Sequence, residues 1–266
     1  MAGYYRHSMK NIISRDNPTY KQLKKLTESA RERRKAGRTL LDGVHLIEAY
    51  VAAGGKPELL VVSESGVAHE ECSRLLESII APQTIMLSDA LFAEVSPVET
   101  PVGILALVET PHSRLPETQD FCVLLEDIQD PGNIGSILRS AAAAGAQMAW
   151  LTPGCADAWS PKVLRAGMGA HFAMAVEERV DPAEKLAAFG GISIATSLDA
   201  DQSLYALDLT GPVLFLVGNE GAGLSPALQR MASVRVTIPM SGSVESLNAA
   251  AASAICFFER VRQLSH

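Results

Sequence analysis

The sequence predicts an α/β fold with two domains, a smaller N-terminal α/β domain and a larger C-terminal domain built on a parallel sheet. From residue 121 onwards, apolar runs without polar alternation are separated by helical stretches, which is typical of a parallel sheet covered on both faces. Before residue 109 the helical and extended runs are shorter. Residues 109–120 hold two prolines and many polar residues without periodicity, which indicates a linker. We therefore expect domains at 1–110 and 120–266, joined by 111–119.

Apolar spacing and helix-stop signals predict the elements of each domain. In the first domain they follow in the order helix 17–36, helix 44–53, strand 59–62, helix 70–80, strand 84–87 and strand 102–108. In the second domain the predicted strands are 121–125, 147–151, 172–176, 192–196, 213–217 and 234–238. The helices predicted between and after them are 134–144, 161–167, 182–189, 226–231 and 247–263. His171, in an apolar run, is expected to be a core residue.

Composition excludes several classes of protein. No apolar run approaches the roughly 20 residues of a membrane-spanning helix, and the N-terminus lacks the apolar stretch of a secretory signal. The four cysteines form no C-x-x-C pair and the six histidines show no metal-ligand spacing, so we expect free thiols and no metal. We therefore expect a cytoplasmic enzyme without a membrane segment.

The charge of the chain is strongly segregated. Residues 1–40 hold 11 of the 23 Lys and Arg residues and 3 acidic residues, a local charge of +8 on a chain of net charge −7. A basic patch on an acidic body indicates contact with a polyanion such as RNA, although a solvated helix face is the alternative. The residues predicted to bind RNA are Lys21, Lys24, Lys25, Arg33, Arg34 and Arg38.

Three polar segments, 130–139, 217–225 and 238–248, each begin where a predicted strand ends. Ligand sites in open α/β sheets lie at the carboxyl ends of strands, so these segments mark a candidate site. The first segment places Asn133 as the predicted N-cap of an alanine-rich helix. Arg139 lies in the middle of that helix, on an element suited to burial. Its guanidinium therefore needs a partner, for which a phosphate, a carboxylate or a structural ion pair would serve.

The second segment is compatible with a ligand held by backbone groups. The glycines of residues 218–223 follow the order G-x-x-G-x-G, which is not the dinucleotide fingerprint, and the chain contains no P-loop; a nucleotide-dependent oxidoreductase is therefore disfavoured. Such a loop suits an adenine or methionine moiety as well as a phosphate. The third segment places Ser246 as the predicted N-cap of the last helix, with Asn248 in its first turn.

Together, the motifs resemble those of the SpoU branch of the SPOUT superfamily, which are S-adenosylmethionine-dependent RNA ribose 2′-O-methyltransferases. The motifs are N-x-G-x-x-x-R from Asn133 to Arg139, G-x-E-G-x-G-L-S from Gly218, and I-P-M-x-G-x-x-x-S-L-N from Ile238. Residues 157–170 match the middle region of that family. Residues 41–43 and 100–104 resemble an L30e-like substrate-binding domain, with Asp42 where glutamate is common.

This resemblance implies a deep trefoil knot in the C-terminal domain, S-adenosyl-L-methionine as cofactor and a homodimer through that domain. It also implies that Arg139 reaches the active site beside the cofactor of the partner subunit. The cofactor-binding residues it implies are Val217, Gly218, Asn219, Gly221, Ile238, Met240 and Leu247. The catalytic residues it implies are Asn133, Arg139, Glu220, Ser246 and Asn248.

The substrate implied is RNA, and an L30e-like domain favours large-subunit ribosomal RNA because such a module suits folded RNA. A tRNA ribose methyltransferase is the alternative within the class. A non-catalytic RNA-binding or ribosome-assembly protein with a methylase fold is the alternative of another class. Because an arginine stays protonated, we expect Arg139 to bind phosphate and stabilise a developing oxyanion; action as a base is left open.

Overall fold

The first described region of the chain forms a mixed sheet covered by short helices. The computed structural model describes residues 9–79, 81, 83–98, 100–111, 115–242 and 246–265. Contacts divide the chain into two compact units: the first runs up to residue 112 and takes in Trp159–Phe172, and the second holds the remainder. The predicted C-terminal domain 120–266 thus contains a segment that packs with the first unit.

The sheet of the first unit has the strand order β1-β4-β3-β5-β2. Its strands are β1 (Lys10–Ile12), β2 (Arg38–Asp42), β3 (Leu59–Ser63), β4 (Thr84–Leu87) and β5 (Ile104–Glu109). Strands β1, β4 and β3 are parallel, and β5 is antiparallel to both β3 and β2. The helices are α1 (Pro18–Glu28), α2 (Ala30–Ala36), α3 (Val44–Ala52), α4 (Glu70–Ser78) and α5 (Asp89–Val95). Buried Tyr20, Leu23 and Leu26 of α1 join the core of this sheet.

The single helix predicted over 17–36 is wrong, because the chain breaks at Ser29. That residue is extended (φ −124°, ψ 113°), and its side chain accepts a hydrogen bond from the Glu32 backbone N–H. A serine that caps a new helix competes with continuation of the old one. Strands β1 and β2 and helix α5 were not predicted from the apolar pattern. Residue 80, the last of the predicted helix 70–80, lies outside the described residues.

Buried polar contacts explain why Trp159–Phe172 groups with the first unit. The Thr39 hydroxyl donates to the Trp159 carbonyl (2.6 Å), and Arg165 Nη1 donates to Asp42 Oδ1 (3.2 Å). Burial raises the pKa of Asp42, and hydrogen bonding from Ser96 together with the Arg165 charge opposes that rise. Asp42, the departure from the expected glutamate, is therefore a paired buried carboxyl.

The second unit is built on six parallel strands in the order β11-β9-β10-β6-β7-β8, which confirms the predicted parallel sheet. Its strands are β6 (Phe121–Leu125), β7 (Met148–Leu151), β8 (Ala175–Glu178), β9 (Ile192–Thr196), β10 (Val213–Val217) and β11 (Val234–Val236). The helices that follow α5 along the chain are α6 (Pro131–Ala143), α7 (Pro161–Gly167), α8 (Ala170–Ala173), α9 (Pro182–Ala188), α10 (Pro226–Met231) and α11 (Ala249–Leu264). The knot that the resemblance implies stays a prediction.

The strand predicted over 172–176 is wrong. Helix α8 occupies its start and β8 begins at Ala175. A short apolar run without alternation fits a helix turn as well as a strand, so the pattern could not separate them. His171 is a buried packing residue as predicted, with its ring centroid 5.2 Å from that of Trp159.

Three neighbouring strands place the candidate site. Strands β9, β10 and β6 lie side by side and parallel, so their carboxyl ends, at Thr196, Val217 and Leu125, meet at one edge of the sheet. All five residues of β6 and of β10 are buried. The polar segments that follow them therefore extend from a rigid apolar centre. No helix within the described ranges has the length and apolar character needed to span a bilayer.

Candidate active site

A chain of side-chain hydrogen bonds joins the three polar segments. Asn133 Nδ2 donates to Glu220 Oε1 (3.1 Å), and Asn248 Nδ2 donates to Asn133 Oδ1 (3.0 Å). One residue from each segment thus takes part, although 115 positions separate Asn133 from Asn248. The side-chain amide of Asn133 is oriented from both ends.

The Glu220 carboxylate fixes one end of this series of hydrogen bonds. It also accepts hydrogen bonds from the backbone N–H of Asp130 (3.1 Å) and of Gln129 (3.3 Å). Desolvation works to raise the pKa of Glu220, but the hydrogen bonds from Asn133 and from the backbone favour the charged form more, so the pKa lies below its ordinary value. An ionised carboxylate accepts and cannot donate, so Glu220 fixes which end of the Asn133 amide faces it.

The loop after β10 is a tight turn built by Asn219. Its Oδ1 accepts from the backbone N–H of Gly221 (2.9 Å) and Ala222 (3.0 Å), and its Nδ2 donates to the Asp127 carbonyl (2.8 Å). A Cβ at Gly218 would overlap the backbone of the returning strand of the turn, at Gly223 and Leu224. Position 218 therefore requires glycine for close approach of two backbone segments.

A cavity of about 280 Å³ opens beside this turn. All seven residues predicted to bind the cofactor line it, as do Glu220 and Ser246. Asn133, Arg139 and Asn248 do not line it. Sequence reasoning missed several lining residues, namely Thr196, Ser197, Leu198, Thr237, Ser253 and Cys256. The run Thr196-Ser197 at the end of predicted strand 192–196 was a usable signal, whereas the residues from α11 reach the cavity only through packing.

The cavity walls are largely neutral. Apolar residues such as Val236 and Phe257 line the cavity together with residues of the 218–223 loop, a few hydroxyl-bearing residues and Glu220. Burial raises the pKa of the Cys256 thiol to about 12, so this thiol stays protonated. Concave, mostly apolar sites with a few placed polar groups are typical of small organic ligands.

The two N-cap predictions at the site are wrong. The N-cap of α6 is Asp130, whose side chain accepts from the Asn133 backbone N–H (2.8 Å), so Asn133 lies inside the helix. Pro131 stands at the first helical position, where its fixed φ favours a helix start. The N-cap of α11 is Asn248, which accepts from the backbone N–H of Ala250 and Ala251, and not Ser246.

Arg139 is exposed, which contradicts its predicted burial. Its position, six residues after Asn133, places it on a different face of α6 from the buried Ile137 and Leu138. Within the described part of the chain it forms no ion pair or side-chain hydrogen bond. Its guanidinium is therefore available to a group from outside this chain.

The six cations predicted to bind RNA lie in three environments. Arg33 is buried, with Nη1 donating to the carbonyls of Leu26 (2.6 Å) and Thr27 (3.2 Å), so its assignment as an RNA contact is wrong. Three others are in ion pairs: Lys21 with Asp16 (2.9 Å), Lys24 with Glu94 (3.2 Å) and Arg38 with Glu58 (2.8 Å). Lys25 and Arg34 are exposed and have no ion-pair partner among the described residues.

Comparison with known proteins agrees with this architecture. Residues 120–258 match the SpoU rRNA Methylase family, and residues 17–106 match the MRM3-like substrate binding domain. Fold and site together define a two-domain RNA methyltransferase. The chain belongs to the SpoU rRNA Methylase family.

Relatives resemble the chain over nearly its whole length. The 23S rRNA (guanosine(2553)-2′-O)-methyltransferase RlmP of Bacillus subtilis is 36% identical, over 94% of this chain and 98% of the relative. The 23S rRNA (uridine(2479)-2′-O)-methyltransferase of Streptomyces viridochromogenes is 33% identical, over 96% of this chain and 92% of the relative. The crystal structure of the SpoU methyltransferase AviRb from that organism, in complex with AdoMet, matches with a TM-score of 0.84 and 32% identity, over 94% of this chain and 98% of that one.

The cavity fits S-adenosylmethionine, the cofactor of this family. An adenine needs apolar contact on its faces and backbone groups at its edge, and the cavity offers both through Leu247 and the 218–223 loop. Among the described residues, the walls hold one carboxylate, Glu220, and no lysine or arginine, which is also compatible with a cationic ligand. Among the described residues no cluster suited to a metal ion is found.

Proposed function

We propose that this protein transfers a methyl group from S-adenosylmethionine to a ribose 2′-hydroxyl of large-subunit ribosomal RNA. The observation that carries the proposal is the Asn248–Asn133–Glu220 hydrogen-bond chain beside the cavity, since it gathers all three motifs at one place. Relatives that match nearly the whole chain are named as 23S rRNA 2′-O-methyltransferases, which favours ribosomal RNA over tRNA. We assign substrate binding to 1–110 and catalysis to 120–266, in a cytoplasmic enzyme.

In this proposal Val217, Gly218, Asn219, Gly221, Ile238, Met240 and Leu247 hold the cofactor. When bound, S-adenosylmethionine supplies an electrophilic methyl group. Gly218 allows the turn to close against the cavity, and Asn219 locks the turn through its two backbone hydrogen bonds. The protein's main contribution is then alignment of the ribose oxygen, which can supply several kcal/mol of the barrier reduction, of the order of 7 or more in favourable cases.

The Asn248–Asn133–Glu220 hydrogen-bond chain positions the ribose. Asn133 is held by Glu220 on one side and Asn248 on the other, so its amide is preorganised and does not reorient as substrate binds. Ser246, exposed at the cavity mouth, adds a hydroxyl beside Asn248. A fixed dipole near the reacting oxygen stabilises developing charge without a reorganisation cost.

Arg139 binds the phosphate next to the reacting ribose and stabilises the negative charge that grows on the 2′-oxygen. A guanidinium stays protonated in proteins, so it serves as a cation and not as a base. Its exposure supports this role, because an arginine already paired within the chain would not be available to RNA.

We further propose a homodimer through the second unit, in which Arg139 reaches the cavity of the partner subunit. Helix α6, which carries Arg139, packs against α11, and on α11 the side chain of Phe258 is 48% exposed. Phe258 and Leu264 are both large apolar residues exposed on α11, which favours a face that is covered in an assembly. Phe258→Asp is expected to shift the molecular mass in light scattering to that of the monomer and to abolish methyl transfer. A monomeric wild-type protein that methylates RNA would contradict this arrangement.

Mapping of ribose methylation tests the proposed function. Ribosomal RNA from a strain lacking the protein should lose a 2′-O-methyl group on the large-subunit RNA, and wild-type protein should restore it. Arg139→Ala should fail to restore it, whereas the neighbouring exposed Ser136→Ala, a matched control on α6, should succeed. Unchanged ribosomal RNA with a methyl group missing from tRNA would replace the proposal with the tRNA alternative. Unchanged RNA of both kinds would favour a non-catalytic protein.

A further inference from the structure

A groove with a basic rim runs between α1 and α2 in the first unit. The side chains that line it include Lys21, Gln22, Lys25, Leu26, Glu32 and Lys35. Lys21 and Lys25 are one helical turn apart on α1, and Lys35 faces them from α2. Buried Leu26 and the aliphatic lysine stems make the groove apolar below a cationic rim.

The groove is preformed by Arg33. Its buried guanidinium donates to the carbonyls of Leu26 (2.6 Å) and Thr27 (3.2 Å), near the end of α1. These carbonyls lie in the last turn of a helix, where carbonyl groups lack partners within the helix. Arg33 thereby ties α2 to the end of α1 across the break at Ser29. Because the two helices are already fixed, binding of a ligand costs little conformational entropy.

The cations of this region are divided between two roles. Lys24 donates to Glu94, which also accepts from Arg15 and Tyr20. Hydrogen bonds from Arg15, Tyr20 and Lys24 lower the pKa of Glu94 to about 2. By contrast, Lys25 and Lys35 are exposed and have no ion-pair partner among the described residues.

Three ammonium groups around one groove repel one another. Lys21 has an ion pair with Asp16, but both side chains are mostly exposed, so this pair exchanges readily with solvent. Lysines at i and i+4 of a helix cost a few tenths of a kcal/mol in the free protein. Within the part of the chain that the structure describes, Glu32 is the one carboxylate that lines the groove, so positive charge remains in excess there. An anionic ligand would relieve this repulsion.

We propose that this groove binds the phosphodiester backbone of RNA, with Lys21, Lys25 and Lys35 at the phosphates and Arg33 as the residue that positions them. This assignment rests on the proposed function for the identity of the RNA. It replaces the broad basic patch with three defined contacts, and it removes Lys24, Arg33 and Arg38 from the contact surface.

The matched pair Lys25→Gln/Lys35→Gln and Lys24→Gln/Arg38→Gln tests the groove, since each double variant removes two positive charges from the first unit. Binding of a 23S rRNA transcript is measured at several salt concentrations. Each phosphate contact contributes roughly 0.7–0.9 to the slope of log K against log salt, so the groove variant should lower that slope by about 1.5. The control variant should leave the slope close to that of wild type. Equal losses in the two variants, or an unchanged slope in the groove variant, would overturn the inference.

Methyl-transfer kinetics separate this inference from the proposed function. The groove variant should raise KM for RNA about tenfold or more while kcat and the affinity for S-adenosylmethionine stay unchanged, because the lysines lie outside the catalytic residues. A wild-type protein that binds RNA through the groove but transfers no methyl group would refute the proposed function alone. A groove variant whose KM equals that of wild type, in an active enzyme, would refute the groove alone.

Discussion

The motif cluster of the second unit and the basic face of the first unit show how differently two sets of polar residues can be predicted. In the cluster, the side-chain amide of Asn133 lies within hydrogen-bonding distance of both Glu220 and Asn248, so one residue of each motif takes part. On the basic face, Arg33 is buried and three other predicted cations have carboxylate partners. Motif spacing encodes backbone geometry at strand ends, whereas a count of charges does not say which of them are already paired.

The largest effect is expected at Gly218, where the motif cluster depends on the close approach of two backbone segments. Gly218→Ala would force the new Cβ into the backbone of Gly223 and Leu224, which cannot move aside as a side chain can. Overpacking of this kind costs about 1–3 kcal/mol or more. We expect the affinity for S-adenosylmethionine, measured by calorimetry, to fall by roughly 10- to 100-fold.

Gly211→Ala, two residues before β10, is the matched control outside the cofactor-binding residues. A Cβ there would meet no atom of the described residues within 4 Å. The affinity of this variant should remain within about threefold of wild type, well below the tenfold that 1.4 kcal/mol represents. Equal losses in the two variants would show that close approach at Gly218 is not what shapes the site.

Asn133→Asp tests the oriented amide with little change in size. It replaces the donor 3.1 Å from Glu220 Oε1 with a second carboxylate oxygen. Two adjacent carboxylates cannot both ionise without a penalty, and a lost hydrogen bond to a charged group costs about 1.5–3 kcal/mol. We expect kcat to fall by roughly 10- to 100-fold. Full activity of this variant at pH 8 would remove Asn133 from the site.

Arg33→Ala and Arg34→Ala compare a buried arginine with its exposed neighbour. Removal of the Arg33 guanidinium leaves the carbonyls of Leu26 and Thr27 without their donor. Unfolding in urea should show a loss of about 2–3 kcal/mol for Arg33→Ala and less than about 0.5 kcal/mol for Arg34→Ala. Similar stability of the two variants would return Arg33 to the exposed surface that the charge pattern suggested.

The parallel sheet and the placement of the three motifs could be predicted because they rest on local patterns. Strand bounds 121–125, 192–196 and 213–217 agree with β6, β9 and β10 because these apolar runs end at clear polar signals. Errors arose where neighbouring residues compete for one role: Asp130 caps α6 where Asn133 was predicted, and Asn248 caps α11 where Ser246 was predicted. Arg139 was predicted to be buried because it lies among apolar residues, but the helix turns it towards solvent.

The smallest expected effect is the pH dependence of Glu220. Its pKa in the folded protein lies below that of the unfolded chain, about 4.3, so its contribution to stability is present above that pH and is lost as pH falls through the folded-state pKa. The difference in melting temperature between wild type and Glu220→Gln should therefore be constant from pH 8 to pH 5 and shrink below about pH 4. A difference that grows on acidification would mean that the carboxylate is not stabilised by its donors.

A crystal structure with S-adenosylmethionine tests the central claim most directly, namely that the cavity at the carboxyl ends of β9 and β10 holds the methyl donor beside the Asn248–Asn133–Glu220 chain. We predict density for the donor in contact with Gly218, Ile238 and Leu247. Donor bound elsewhere, or a cavity that stays empty at saturating concentration, would contradict the account.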